Sequence, residues 1–240
     1  MMTDSRAAAL LLSTALACES ACSAAVTRVP PPAAGRQTEQ TGAGLRYLLH
    51  LPAAYADRPA WPLILFLHGA GERGDDPALV AREGLPRILE TLPDFPFAVV
   101  SPQETRAQRW TPDGLAALVE DVAGKYRVDP GRVYVTGLSS GATAALELAI
   151  RHPERIAAVA PVAFTAIPAD LCRMKDVPAW VFHNAGDERV PSGRAKRLAA
   201  ELESCGAEVK LTIFPAEGHD AWTEAYRTND LYEWLLRHRR

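Results

Sequence analysis

The five residues Gly137-Leu138-Ser139-Ser140-Gly141 constrain this chain more than any other segment. An apolar run, Val133-Tyr134-Val135-Thr136, leads into them, and a small-residue helical stretch, Gly141 to Ile150, leads out. A strand that reverses into a helix so abruptly needs glycine on both sides of the turn, so that strand and helix can approach closely. The residue at its centre is then held with its side chain clear of the backbone. Glycine and serine are common, so the pentapeptide carries weight only through the strand before it and the helix after it. A serine that merely caps the helix is the bland alternative. Ser140 stands next door, but only Ser139 is centred between Gly137 and Gly141.

A serine hydroxyl attacks well only when a base takes its proton and a third group orients that base. Both partners follow in the chain. Ala179-Trp180-Val181-Phe182-His183 reads as a buried strand running into Asn184-Ala185-Gly186-Asp187, which places Asp187 in the turn beyond its carboxyl end. Glu188 competes with Asp187, and helix capping is the commoner use of a loop aspartate. Asp187 has the shorter side chain, which suits the turn. Glu208 to Phe214 alternates as a half-buried strand, and Pro215-Ala216-Glu217-Gly218-His219 places His219 in the next turn. Loops at one edge of a parallel sheet converge in space. Of six histidines, His183 reads as a strand-end core residue, His68 as a structural member of its loop, and His50, His152 and His238 as surface residues. Asp220 reads as a helix cap.

An oxyanion hole completes the set. Pro62-Leu63-Ile64-Leu65-Phe66-Leu67 is a nearly unbroken apolar run, as in a strand buried on both faces, and it ends in His68-Gly69-Ala70-Gly71. The amides of Ala70 and Ser140 are the candidate donors. The chemistry these parts support is two-step acyl transfer. His219, oriented by Asp187, deprotonates Ser139, and the two amides stabilise the tetrahedral oxyanion. His219 then protonates the leaving group, and water repeats the cycle. Activity is expected to fall in acid, because a protonated imidazole cannot act as base, and the scheme calls for no cofactor and no metal.

Composition fits one enzyme domain: 240 residues, 48% hydrophobic, suffice for a single sizeable core. A net charge of -3, with no basic tract, argues against nucleic acid as a partner. Residues 1–25 read as a signal peptide or lipoprotein leader. Arg6 precedes the apolar stretch Ala7 to Ala17, which is too short to span a bilayer, and Ala21 to Ala25 offer a cleavage site. Cys18 resembles a lipidation site, so the protein is expected to be exported and either soluble or lipid-anchored. A disordered terminus from a misplaced start is the alternative. Residues 26–43 read as a Pro/Ala-rich linker, and residues 44–240 as the catalytic domain, without an integral membrane segment. Cys18 and Cys22 belong to the leader. Cys172 and Cys205 either form a disulfide or stand as unpaired buried thiols, and spacing leaves both open.

The remaining elements alternate. Leu45 to Pro52 opens as an antiparallel strand, Ala78 to Leu92 is helical with a break at Pro86, Phe97 to Ser101 is a strand, and Leu115 to Tyr126 is a helix. Ile156 to Val162 is a strand, and Val190 to Leu202 and Leu231 to His238 are the last helices. Such alternation implies an α/β fold, a mostly parallel doubly wound sheet covered on both faces.

With these residues in view, the chain resembles the α/β-hydrolase esterases of the predicted-peptidase and polyhydroxyalkanoate-depolymerase-like (feruloyl-esterase-like) type, related to acyl-protein thioesterases and dienelactone hydrolases. The resemblance runs from about Leu45 to the C-terminus. It rests on Phe66-Leu67-His68-Gly69-Ala70-Gly71-Glu72-Arg73-Gly74, Ser101-Pro102-Gln103 and Gly218-His219-Asp220-Ala221-Trp222. It implies an α/β-hydrolase fold with Ser139, Asp187 and His219 as the triad, and a role in the site for the Gln103 amide. Two departures stand out: Ser140-Gly141-Ala142 where the family has a bulky apolar residue and two glycines, and His183-Asn184 where it has histidine-glycine. Only roughly fifteen residues separate the strand after the elbow from the one leading to Asp187, too few for a lid domain. An open site suits short-chain or aromatic acyl esters, free or attached to a polymer. Trp110 and Trp222 either line the cleft and stack on substrate or simply pack. A serine peptidase of the same fold is the nearest rival reading. A non-catalytic surface lipoprotein that binds a glycan is the rival from another class.

Overall fold

The computed structural model describes residues 31–240. The leader 1–25, with Cys18 and Cys22, and the first residues of the linker lie outside the described residues. Eight strands form one sheet: β1 (Gln37–Gly42), β2 (Leu45–His50), β3 (Trp61–Leu67), β4 (Ala98–Pro102), β5 (Val128–Leu138), β6 (Ala158–Val162), β7 (Ala179–Gly186) and β8 (Val209–Glu217), in the spatial order β1-β2-β4-β3-β5-β6-β7-β8. The first two pair antiparallel, β2 pairs antiparallel with β4, and every pairing from β4 to β8 is parallel. Among the described residues six α-helices accompany them: α1 (Gly84–Leu89), α2 (Pro112–Lys125), α3 (Ser140–Arg151), α4 (Gly193–Ser204), α5 (Trp222–Arg227) and α6 (Asn229–Arg237).

The unbroken apolar run of β3 is explained by the two cores it serves. Leu63, Leu65 and Leu67 point into the cluster that includes Leu118, Leu146 and Leu198 from α2, α3 and α4. Ile64 and Phe66, one residue out of phase, point into the cluster that includes Leu85, Tyr226 and Trp234 from α1, α5 and α6. A period of two with apolar residues on both faces is what a strand covered on both sides requires. Among the described residues no helix is long and apolar enough to cross a membrane.

Several boundaries differ from the sequence expectations. The sheet begins at Gln37, inside the stretch read as linker: β1 pairs residue for residue with β2, from Gln37 opposite His50 to Gly42 opposite Leu45. The break in the stretch 78–92 falls before Pro86. A 3-10 segment, Pro77–Arg82, gives way at Glu83 to α1, which Gly84 enters at φ 66°. A β-carbon on Gly84 would stand 2.7 Å from the Phe66 ring, so packing as well as backbone favours glycine there. Pro86 sits in the first turn of α1, where a missing amide hydrogen costs nothing. The last expected helix is preceded by a separate one, α5, whose first turn is capped by Asp220, with Oδ1 accepting from the Thr223 amide at 2.9 Å.

Cys172 and Cys205 form a disulfide, with Cα atoms 5.1 Å apart across a separation of 33 residues. Cys172 is exposed and Cys205 half-buried, so the alternative of two buried thiols does not hold. Closing a loop of that size stabilises the fold by roughly 3 to 4 kcal/mol in the chain-entropy picture.

His50 is a further correction: it is buried, not on the surface. Neither ring nitrogen has a hydrogen-bond partner, and Phe95 lies edge-on with centroids 6.4 Å apart. Burial pushes its pKa down from 6.5 to about 4. The unfolded chain takes up this proton as pH falls below 6.5 and the folded chain does not, so stability declines between 6.5 and 4. The loss is on the order of 3 kcal/mol by the lower limit. His50→Phe keeps a flat ring and removes the titration. Urea midpoints measured across this interval are expected to slope less steeply for the variant than for the parent.

Candidate active site

The carboxyl ends of β3, β5, β7 and β8 bring the expected residues to one edge of the sheet. Leu138 closes β5, and Ser139 follows at φ 53°, ψ -118°, a conformation that costs a non-glycine residue about 1–3 kcal/mol. Its amide donates to the Val162 carbonyl at 2.9 Å, which ties the turn to the end of β6. Gly141 is required by contact: a β-carbon there would lie 2.1 Å from the Leu67 carbonyl oxygen and 2.4 Å from that of His68. The start of α3 therefore rests directly on the end of β3.

Asp187 follows β7 and is buried, while Glu188 is exposed. Its Oδ1 accepts from the amides of Arg189 and Val190, both at 2.9 Å, and its Oδ2 accepts from His219 Nδ1 at 2.6 Å. His183 Nε2 lies 3.2 Å from the same Oδ2 and 2.7 Å from the Val190 carbonyl oxygen. Desolvation works against the charged carboxylate, but the hydrogen bonds from His219 and Val190 outweigh it and hold the carboxyl below its usual range. His219 stands in the turn after β8. That turn is positioned by Gly218, at φ 76°, whose amide donates to the Gly186 carbonyl at 2.9 Å. The Asn184 side chain donates to the Gly218 carbonyl at 3.1 Å. Asn184, where the resembled family has glycine, thus links the acid-bearing strand to the histidine turn.

With Asp187 accepting from Nδ1, the proton of neutral His219 is fixed there, and Nε2 presents its lone pair. Ser139 Oγ lies 2.9 Å from that nitrogen. One hydrogen-bonded line therefore runs Ser139, His219, Asp187. His219 is half-buried and Asp187 buried, so the line has one end open to solvent.

The loop after β3 is braced from below. His68 Nδ1 lies 2.6 Å from the Gly69 carbonyl oxygen, and Nε2 accepts from the Glu104 amide at 2.9 Å. Burial lowers the His68 pKa to about 4, which keeps the ring neutral in this bridging role. Glu104 accepts from Arg73, from Arg109 Nε at 2.6 Å and from the Trp110 amide at 3.2 Å. Desolvation opposes its charge, yet the two guanidinium hydrogen bonds prevail and its carboxyl sits below the ordinary range. Ala70 opens a single 3-10 turn, Ala70–Glu72, beside Gly69, on which a β-carbon would come within 3.6 Å of Ser139 Cβ. Ser140 opens α3, and its Oγ accepts from Arg73 Nη2 at 3.4 Å.

The three expected substrate contacts separate. Gln103 is 2% exposed and donates through Nε2 to the carbonyls of Glu72 (2.7 Å) and Glu104 (3.1 Å). Its Nε2 braces the loop from within, while its Oε1 has no hydrogen-bond partner among the described residues. Trp110 packs edge-on to His68 with centroids 4.6 Å apart, and it also walls a cleft of about 200 Å³ with Arg73, Ser140 and Thr143. Trp222 stands at 88° to the His219 ring, centroids 5.5 Å apart, with its indole N–H toward Glu83 at 3.3 Å. It walls a groove of about 530 Å³. Arg73, Glu104, His183 and Asn184 were not singled out as site residues from sequence. Arg73 lies within the glycine-rich segment after β3 and Glu104 directly follows Gln103, so adjacency to those motifs was the available signal.

A family model described as esterase PHB depolymerase matches residues 45–167, and the prolyl oligopeptidase family model matches residues 165–240. The first match spans the β3 loop and Ser139, and the second spans Asp187 and His219. The chain is 30% identical over 209 residues to NocK of Nocardia uniformis subsp. tsuyamanensis, a protein named as an esterase, covering 79% of this chain and 59% of that one. The chain thus spans under two thirds of that relative's length. A thermostable esterase structure superposes with a TM-score of 0.71 at 25% identity, over 87% of this chain and 64% of that one. A ferulic acid esterase superposes with a TM-score of 0.63 at 16% identity, over 83% and 94% of the two chains, a likeness of fold.

Proposed function

Because this chain belongs to the esterase PHB depolymerase family, we propose that it is a serine carboxylesterase that hydrolyses short-chain or aromatic acyl esters through an acyl-enzyme. The observation that carries the reading is the line from Ser139 Oγ through His219 to Asp187, with hydrogen bonds of 2.9 and 2.6 Å. His219 Nε2 removes the Ser139 proton as Oγ attacks the ester carbonyl. Asp187 holds the ring and stabilises the imidazolium, and its own carboxyl stays ionised because its pKa is lowered. The amides of Ala70 and Ser140 receive the charge that develops on the carbonyl oxygen, an interaction typically worth about 3–4 kcal/mol per donor. His219 then hands its proton to the leaving alcohol, and a water molecule attacks the acyl-enzyme by the same route.

A fluorophosphonate probe on the purified protein is the direct test. The adduct is expected on Ser139 by peptide mapping, together with hydrolysis of p-nitrophenyl esters. Folded protein that takes no adduct would overturn the reading. The prolyl oligopeptidase match over residues 165–240 favours a peptidase as second reading, and faster cleavage of an anilide than of the matching ester would select it. Export is proposed on the same footing. The Cys172–Cys205 disulfide supports it, since such bonds persist mainly in oxidising compartments, and fractionation of the producing cells tests it.

A further inference from the structure

The residue just before His219 is held through both of its backbone polar groups. The Gly218 amide donates to the Gly186 carbonyl at 2.9 Å, and the Gly218 carbonyl accepts from Asn184 Nδ2 at 3.1 Å. The same Nδ2 lies 3.4 Å from the Glu217 carbonyl oxygen, a weaker contact. Asn184 is 1% exposed. Turning its amide by half a rotation would set Oδ1 against those carbonyl oxygens, so its neighbours fix the direction in which it donates.

The sheet shows why such a clamp matters. Among the described residues β8 is an edge strand, paired with β7 alone, and none of its residues is fully buried. Regular pairing also fails at its end. From Asn184 opposite Phe214 to Gly186 opposite Glu217 is two steps along β7 and three along β8. Such a bulge leaves an extra residue outside the ladder, and Gly218, at φ 76°, adds a glycine's freedom directly before His219. The end of an edge strand built in this way opens more readily than the interior of a sheet. His219 stays in line only if its turn follows β7, the strand whose end carries Asp187. We propose that Asn184 is a positioning residue for His219: its side-chain amide takes the place of the interrupted ladder and ties the base to the strand of the acid. The proposal rests on the serine-esterase reading and deepens it.

Asn184→Gly and Asn184→Ala, made in the purified protein, test it, with Thr212→Val as the control. Trp180 Nε1 donates to Thr212 Oγ1 at 3.0 Å, so the control deletes another side-chain bond between the same two strands without touching the histidine turn. Rates on p-nitrophenyl acetate give kcat and KM. The proton spectrum gives the His219 Nδ1–H resonance, which a hydrogen bond of 2.6 Å to Asp187 moves far downfield. Both Asn184 variants are expected to lose about ten- to hundredfold in kcat with KM within about twofold of the parent. Their downfield resonance is expected to broaden or vanish. Thr212→Val is expected to unfold at lower urea and to keep both kcat and the resonance. Parental kcat or an unchanged resonance in both Asn184 variants would overturn the proposal and leave the esterase reading standing. An equal loss of kcat in Thr212→Val would do the same, since pairing of β7 with β8 as a whole would then be what matters. Folded parent protein that hydrolyses no ester would overturn the esterase reading, while the resonance, which needs no substrate, still decides whether Asn184 holds the histidine turn.

Discussion

Alanine at position 139 is expected to lower kcat on an activated ester by about 10⁴- to 10⁶-fold while the fold is retained. Ser139 is half-buried and belongs to neither core cluster, so loss of its hydroxyl leaves the core intact. Its Oγ meets His219 Nε2 at 2.9 Å, and among the described residues no other hydroxyl is hydrogen-bonded to that nitrogen. Ser140→Ala serves as the control, because the Ser140 hydroxyl reaches only Arg73, at 3.4 Å, and a change well below tenfold is expected. His219→Ala should approach the Ser139→Ala loss, and the double variant should be no worse than either single one, since residues that act as a unit are not additive. Rates at saturating p-nitrophenyl acetate, circular dichroism and probe labelling give the three readouts. Retention of activity in Ser139→Ala would move the nucleophile elsewhere.

The second large effect is structural. Gly141→Ala is expected to destabilise the protein by upward of about 3 kcal/mol, or to prevent folding, through overpacking. The added carbon would meet the carbonyl oxygens of Leu67 and His68 at 2.1 and 2.4 Å. These are backbone atoms, so no rotamer change relieves the clash. The strand end must move, and with it the Gly69-Ala70 segment proposed to bind the oxyanion. Whatever protein folds should therefore be slow in kcat as well as weak. Gly193→Ala is the matched control: nothing lies within 4 Å of its β-carbon position, at the start of α4. There the substitution is expected to be neutral or to stabilise by up to about 1 kcal/mol. Urea midpoints of the two variants check the contrast.

The segments legible in the sequence were those whose period is imposed by burial. β3 reads as a strand because both faces meet a core, and the turn at Ser139 reads as a turn because glycine flanks it on both sides. The order serine, acid, histidine along the chain anticipated their meeting because β5, β7 and β8 are parallel and end at one edge. β1 escaped because Gln37-Thr38-Glu39-Gln40-Thr41-Gly42 carries no apolar alternation. It is a strand through its hydrogen bonds to β2, which a local pattern does not encode. α5 escaped because a six-residue helix is shorter than two turns of apolar repeat. Pro86 suggested a break that Gly84 makes, because proline is tolerated in a first turn and only the tertiary contact with Phe66 reveals the positive φ at Gly84. His50 and Gln103 show the same limit from another side. A polar residue type predicts exposure, whereas their burial follows from which face of β2 and which side of the post-β4 loop meet the interior.

The Cys172–Cys205 bridge encloses β7, the Asp187 turn and α4, and leaves Ser139 and His219 outside the covalent ring. A cross-link suppresses those opening fluctuations that would part its two ends and is indifferent to the rest. Beyond its effect on the stability of the whole fold, the bridge is therefore expected to act within the native state chiefly on the segment that carries Asp187. If Asp187 orients His219 as proposed, reduction at the exposed Cys172 sulfur is expected to reach the reaction through the Asp187 segment and to leave the Ser139 turn outside the opened ring.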